Sequence, residues 1–179
     1  MRNESTAGSR FGPGKLRLGV SSCLLGNEVR YDGGHKLDRV IVDELGALFE
    51  WLPVCPEVEA GLGTPRAPMR LKRSDGAVRM VEIASGCDRT DAVGCWAERR
   101  ISELGKLDLR GFVLKKGSPS CSWTGVRVDA DAGAPRCDAR GLFAEALVRA
   151  FPRLPIEDED RLDDARLRED FIERVFAYR

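Results

Sequence analysis

Leu16-Arg17-Leu18-Gly19-Val20 is a short apolar run with one polar break, and it leads straight into Ser21-Ser22-Cys23. A run of that length ending at small polar residues reads as a buried strand. The same pattern recurs at residues 49–54, which run into Cys55-Pro56-Glu57. It recurs again at residues 109–114, which continue through Lys115-Lys116-Gly117-Ser118-Pro119-Ser120 to Cys121. Between the first two strands come the turn residues Gly26, Asn27 and Asp32-Gly33-Gly34. Apolar residues then recur at Leu37, Val40, Ile41, Leu45 and Leu48, a spacing that predicts one helix face. Helices are also predicted over residues 88–104, with Asp88 or Thr90 as cap, over 141–151 and over 161–178. Residues 78–83 read as a further strand, residues 61–68 as loop, and Pro152 and Pro155 bracket a short connection to Ile156.

Strands alternating with helices predict an α/β fold, a single layered domain with a mainly parallel, Rossmann-like sheet flanked by helices. In open sheets of this kind ligands bind beyond the carboxyl ends of the strands. Cys23, Cys55 and Cys121, far apart in sequence, are therefore expected to meet at one edge. The expected organisation is a disordered leader over residues 1–14, a core domain over 15–160, and an amphipathic C-terminal helix over 161–179. The stripe Leu167, Phe171, Val175 and Tyr178 on that helix is expected either to pack back on the core or to await a partner.

Composition narrows the class. The chain has 179 residues, 42% hydrophobic and 32% charged, with 29 basic and 29 acidic side chains and no net charge. Zero net charge excludes a uniformly basic nucleic-acid binder. No apolar run approaches the ~20 residues of a membrane helix, so no membrane partner is expected. Residues 1–14 carry no apolar stretch of the secretory type. Six cysteines in a chain without a secretion signal point to the cytoplasm, and to thiols or metal ligands before disulfides. The basic stretch Arg66, Arg70, Lys72, Arg73 and Arg79 reads as a solvated segment, with an anionic substrate as the alternative.

Thiolates are soft ligands that select zinc, copper(I) or iron–sulfur clusters. Three of them at strand ends, without a fourth in an equivalent place, describe a shell one ligand short, as a reactive centre needs. Structural zinc sites usually bring ligands in close pairs, and no C-x-x-C pair exists here. Glu57 adds a carboxylate beside Cys55, and Ser118 and Ser120 add hydroxyls beside Cys121, on a turn that Gly117 and Pro119 make irregular. His35 reads as a surface or capping residue. Cys87 and Cys95, eight apart, read as packed side chains, and Cys137, in the loop over residues 133–140, as either a spare thiol or an accessory ligand.

Five motifs recur here in an order that resembles a known family. They are Val20-Ser21-Ser22-Cys23-Leu24-Leu25-Gly26, Val29-Arg30-Tyr31-Asp32-Gly33, Val54-Cys55-Pro56-Glu57, Ala60-Gly61-Leu62-Gly63-Thr64-Pro65-Arg66, and Lys115-Lys116-Gly117-Ser118-Pro119-Ser120-Cys121. From about Leu16 to Leu154 the chain is similar to a bacterial family long called a domain of unknown function, whose characterised members are the TudS-type thiouracil desulfidases. The resemblance implies a [4Fe-4S] cluster held by Cys23, Cys55 and Cys121, with one open iron. It implies Glu57 and Ser118 as catalytic residues. The substrate would be a small thiolated uracil base or nucleotide, namely 2-thiouracil, 4-thiouracil or 4-thiouridine monophosphate, whose sulfur is replaced by oxygen. Arg66 or Arg30 would meet a nucleotide phosphate. Two departures stand out: Ser122-Trp123 follows Cys121 where relatives often have glycine, and Gly63 stands where many have proline.

The stretch from Phe151 onward is similar to the junction, in longer relatives, with a second domain linked to removing sulfur from 4-thiouridine in tRNA. tRNA is thus an expected partner only with that domain, and the chain is either a truncated or a natural short form. The competing readings are an RNA-binding module with a structural metal, which predicts a closed four-ligand shell, and a thiol redox protein, which lacks the required cysteine pair.

Overall fold

The computed structural model describes residues 14–130 and 133–179. All of the expected leader but Gly14 lies outside the described residues. The chain runs β1 (Leu16–Ser21), a 3-10 turn (Ser22–Leu25), a π-helical segment (Val40–Leu45) continued by α1 (Gly46–Leu48), β2 (Phe49–Val54), α2 (Pro56–Glu59), β3 (Met69–Ser74) and β4 (Ala77–Glu82). It continues through α3 (Thr90–Leu104), β5 (Leu109–Leu114), β6 (Val126–Ala130), β7 (Arg136–Ala139), α4 (Leu142–Ala150), β8 (Ile156–Asp158), a 3-10 turn (Glu159–Asp163) and α5 (Ala165–Ala177).

Four strands form an all-parallel sheet in the order β2-β1-β5-β8. The α/β class with a mainly parallel sheet flanked by helices is as the sequence predicts. In β5 successive residues face opposite sides, as the pleat requires. Phe112 and Leu114 pack with Trp96 and Leu104 of α3 and Phe143 and Leu147 of α4. Val113 joins Leu18, Val20, Ile41, Phe171 and Val175 on the other face. Phe171 and Val175 are fully buried, so α5 closes back over the sheet, and each such apolar side chain contributes about 1.5–3 kcal/mol. Gly19, in the middle of β1, lies flat on the Phe112 ring: a Cβ there would sit 2.2 Å from it.

A second four-stranded sheet, β4-β3-β6-β7, was not expected. Only β4 matches a strand read from sequence. β3 and β6 are parallel, while β3/β4 and β6/β7 are antiparallel. Other differences have local causes. Asp38 Oδ1 accepts the Ile41 N–H at 3.0 Å, which starts the first helical segment after Leu37 and leaves Leu37 on the surface. Residues 136–139, read as loop, pair with β6, and Ile156 opens a strand beside β5. Cys87 and Cys95 are exposed rather than packed.

Candidate active site

The parallel sheet changes direction of winding between β1 and β5: β2 lies on one side of β1, and β5 and β8 lie on the other. That position is where open α/β sheets bind ligands. Register makes the strand ends level, since Val20 pairs with both Pro53 and Val113. Cys23 follows β1 by two residues and sits in the 3-10 turn, and Cys55 directly follows β2 as the cap of α2. Pro56 stands at the first helical position, where its missing N–H costs nothing. Glu59 Oε1 turns back to accept the Cys55 N–H at 2.9 Å.

Cys121 needs more support because a loop separates it from β5. That loop serves as the cap of α4. The carbonyl of Pro119 accepts the Leu142 N–H at 3.0 Å, and that of Ser120 accepts the N–H groups of Phe143 and Ala144 at 2.9 and 3.2 Å. The unpaired donors of a helix start are satisfied in this way. Gly141 permits the approach, because a Cβ there would lie 2.4 Å from the Ser120 carbonyl carbon. On the far side of the loop Asp158, fully buried at the end of β8, accepts the Trp123 and Thr124 N–H groups at 2.7 and 3.1 Å. Glu159 binds Lys115 and accepts the Lys116 N–H at 2.5 Å.

The three cysteines, Glu57, Ser118, Arg30 and Arg66 all line one cavity of about 380 Å³. Cys23, Cys55 and Cys121 are the thiols that line it, among the described residues, and no imidazole does. All are free. Burial pushes the Cys23 thiol up to about 11, with the nearby Cys55 adding to the rise. Burial likewise raises Cys55 and, most strongly, Cys121, although the Ser21 hydroxyl works against it there. Such groups remain protonated thiols until a metal displaces the protons. Among the described residues no three His, Cys, Asp or Glu side chains gather closely enough around one ion. Three free thiols facing one cavity, with no imidazole among them, are a soft donor set that fits a thiolate-ligated iron–sulfur cluster.

Glu57 is buried on α2 and accepts from both sides: Ser120 Oγ donates to Oε1 at 2.7 Å, and Arg66 Nε donates to Oε2 at 2.8 Å. A second nitrogen of the same guanidinium also reaches Oε2. Ser118 Oγ accepts the N–H groups of Ser120 and Cys121 at 3.2 and 3.1 Å. Arg30 pairs with Asp32 at 3.3 Å and stacks on Tyr31. Arg66 points inward: besides Glu57 it donates to the carbonyls of Val29 and Gly63 at 3.0 and 2.9 Å. Its donors are thus engaged by the protein, unlike those of the phosphate ligand the sequence suggested. Ser120 is a site residue whose role sequence reasoning did not specify. The other arginines of the basic stretch pair with acids, Arg70 with Asp129, Arg73 with Asp138 and Arg79 with Asp88. His35 Nδ1 accepts the Leu37 N–H at 3.1 Å, a turn-capping role.

Fold and site together define an open α/β protein with thiols and a carboxylate at the switch point of a parallel sheet. The chain belongs to the 2-thiouracil desulfurase family, which it matches over residues 18–159. It is similar to a solved structure described as a [4Fe-4S]-dependent thiouracil desulfidase, TudS. That likeness has 34% identity and a TM-score of 0.68, and covers 87% of this chain and 99% of that one. It is also 30% identical over 148 residues to the uncharacterized protein YbbK of Bacillus subtilis, covering 78% of this chain and 95% of YbbK. No helix among the described residues is long and apolar enough to cross a membrane.

Proposed function

We propose that the protein is a [4Fe-4S]-dependent desulfidase that converts the C=S group of a small thiolated uracil to C=O, consuming water and releasing hydrogen sulfide without net redox change. The observation that carries this reading is the convergence of Cys23, Cys55, Cys121, Glu57 and Ser118 on one cavity in a member of this family. The three thiolates would hold the cluster, and an iron without a protein ligand would supply a Lewis acid for the thiocarbonyl sulfur.

The chain's own residues account for the remaining chemistry. Glu57 is the proton acceptor for the attacking water, and the buried Arg66 guanidinium beside it holds it aimed. Ser118 Oγ spends its acceptor capacity on two backbone N–H groups, so its own proton is left to donate into the cavity, to a ring heteroatom or the departing sulfur. Val29, Val54 and Met69 add apolar side chains to the lining. Around the rim Lys115 pairs with Glu159, Lys116 with Asp160 and Arg30 with Asp32, whereas Lys36 has no ion-pair partner among the described residues. A 5′-phosphate on 4-thiouridine monophosphate would therefore meet Lys36, with Arg30 beside it, whose Nε and Nη2 are shared with Asp32. A tRNA substrate would call for a second domain. Free thiols throughout the described chain suit a cytoplasmic setting.

The test is anaerobic reconstitution with iron and sulfide, followed by a sulfide-release assay on 2-thiouracil and 4-thiouridine monophosphate. A brown protein that releases sulfide from at least one of them is expected. A protein that takes up no iron, or an iron-loaded one inert toward both, overturns the reading.

A further inference from the structure

Resting on the desulfidase reading, the hydrogen-bond pattern around Glu57 says which of its oxygens takes the proton. A carboxylate oxygen offers about two acceptor sites. Oε2 uses both on the Arg66 guanidinium, whereas among the described residues Oε1 accepts only the Ser120 hydroxyl. We propose that Arg66 and Ser120 are positioning residues that aim Glu57 and confine its proton acceptance to Oε1.

Arg66 has every nitrogen of its guanidinium engaged by the protein. Its side chain is 8% exposed, and the carbonyls of Val29 and Gly63 hold the third nitrogen at 3.0 and 2.9 Å. The fork cannot swing toward a substrate without abandoning a buried carboxylate. Ser120 is fully buried and directly precedes Cys121, so the direction of Oε1 is tied to the loop that carries that thiol. The step balances as follows. The water oxygen bonds to the C=S carbon as one of its O–H bonds breaks, the proton goes to Oε1, and the C=S π pair moves onto sulfur. With Oε2 closed and Oε1 open, the carboxylate meets that water in one orientation. Misplacing such a group by an ångström costs about 100-fold in rate.

The experiment is steady-state kinetics on reconstituted holoenzyme, with iron content measured in parallel. Arg66→Ala is expected to lower kcat about 100-fold with KM for 2-thiouracil and iron content unchanged, and millimolar guanidinium is expected to restore part of the loss. Arg66→Lys keeps the charge but not the fork. It and Ser120→Ala are each expected to lose roughly 10-fold in kcat, and they carry the test should Arg66→Ala fold poorly. Unchanged kcat in both, with Glu57→Gln inactive, overturns the inference and leaves the desulfidase reading standing. A fully active Glu57→Gln removes Glu57 as the proton acceptor and overturns the inference, while the desulfidase reading stands on the activity itself. A rise in KM for 4-thiouridine monophosphate alone, with kcat intact in Arg66→Lys, would make Arg66 a phosphate ligand and also sink the inference.

Discussion

The two sheets of this protein are built from different sequence material. Strands β1 and β5 of the parallel sheet are buried by helices on both faces, and their residues are near-continuous apolar runs. Strands β3 and β7 carry charge on half-exposed or exposed positions, and the ion pairs Arg70–Asp129 and Arg73–Asp138 tie β3 to β6 and β7 across solvent. All three cavity thiols follow strands of the parallel sheet, Cys55 after its edge strand β2, while Cys137 lies exposed on the mixed sheet. A rigid, doubly covered sheet is where precise placement of reactive groups is cheapest, because its strand ends are held by packing on two sides. The mixed sheet has its own apolar cluster of Leu71, Met80, Val93, Val126 and Val128, and the Ser120 hydroxyl lies against the Met80 sulfur at 3.5 Å.

That contrast is open to direct attack. Cys55→Ala should abolish both reconstituted iron and sulfide release, whereas Cys137→Ala should change neither; equal losses would erase the distinction between the sheets. Phe171→Ala, under the parallel sheet, should lower unfolding free energy by about 3–5 kcal/mol in urea titration, since the described chain buries this ring completely. Gly141→Ala forces a Cβ against the backbone of Ser120 and Cys121. It should cost about 1–3 kcal/mol and speed the loss of iron to a chelator; unchanged iron retention would mean that α4 does not brace the loop. Asp158 sharpens the picture through pH. Burial raises its carboxyl above the ordinary 3.8, so the native state binds that proton more tightly than the unfolded chain does. Its contribution to stability is therefore fully present below that value and lost as pH rises through the raised one. Asp158→Asn should remove this part of the acid-side slope. Smallest of all, Arg73→Ala in the mixed sheet should stay within about 0.5 kcal/mol of the parent.

Period-2 alternation was present in the mixed sheet, at Met69-Arg70-Leu71-Lys72-Arg73 and at Val126-Arg127-Val128-Asp129, but the charges drew the first of these toward a solvated-loop reading. β7 has four residues with little apolar content, and β8 only three, so neither carries a periodic signal of its own. Cys87 and Cys95 show the limit of residue-type preference: free cysteines are commonly buried, yet both lie on the surface here. Glu57 and Ser118 each stand close to a cysteine in sequence, and both line the cavity with it. Ser120 was visible as a hydroxyl, but its partner lies 63 residues away. Arg66 looked like a free cation because its partners, Glu57, Val29 and Gly63, meet only when the loop folds over α2.

The order of apolar runs and turn residues determined by itself that the chain forms a parallel α/β sheet with thiols at its strand ends, since burial on two faces and the turn chemistry are local properties of sequence. Tertiary structure alone decided which carboxylate oxygen is open, which arginine is spent on holding it, and how α4 and Asp158 grip the loop of Cys121. Those depend on hydrogen bonds between residues distant in sequence, and the pairing of a buried charge is settled only when packing removes the water that would otherwise serve.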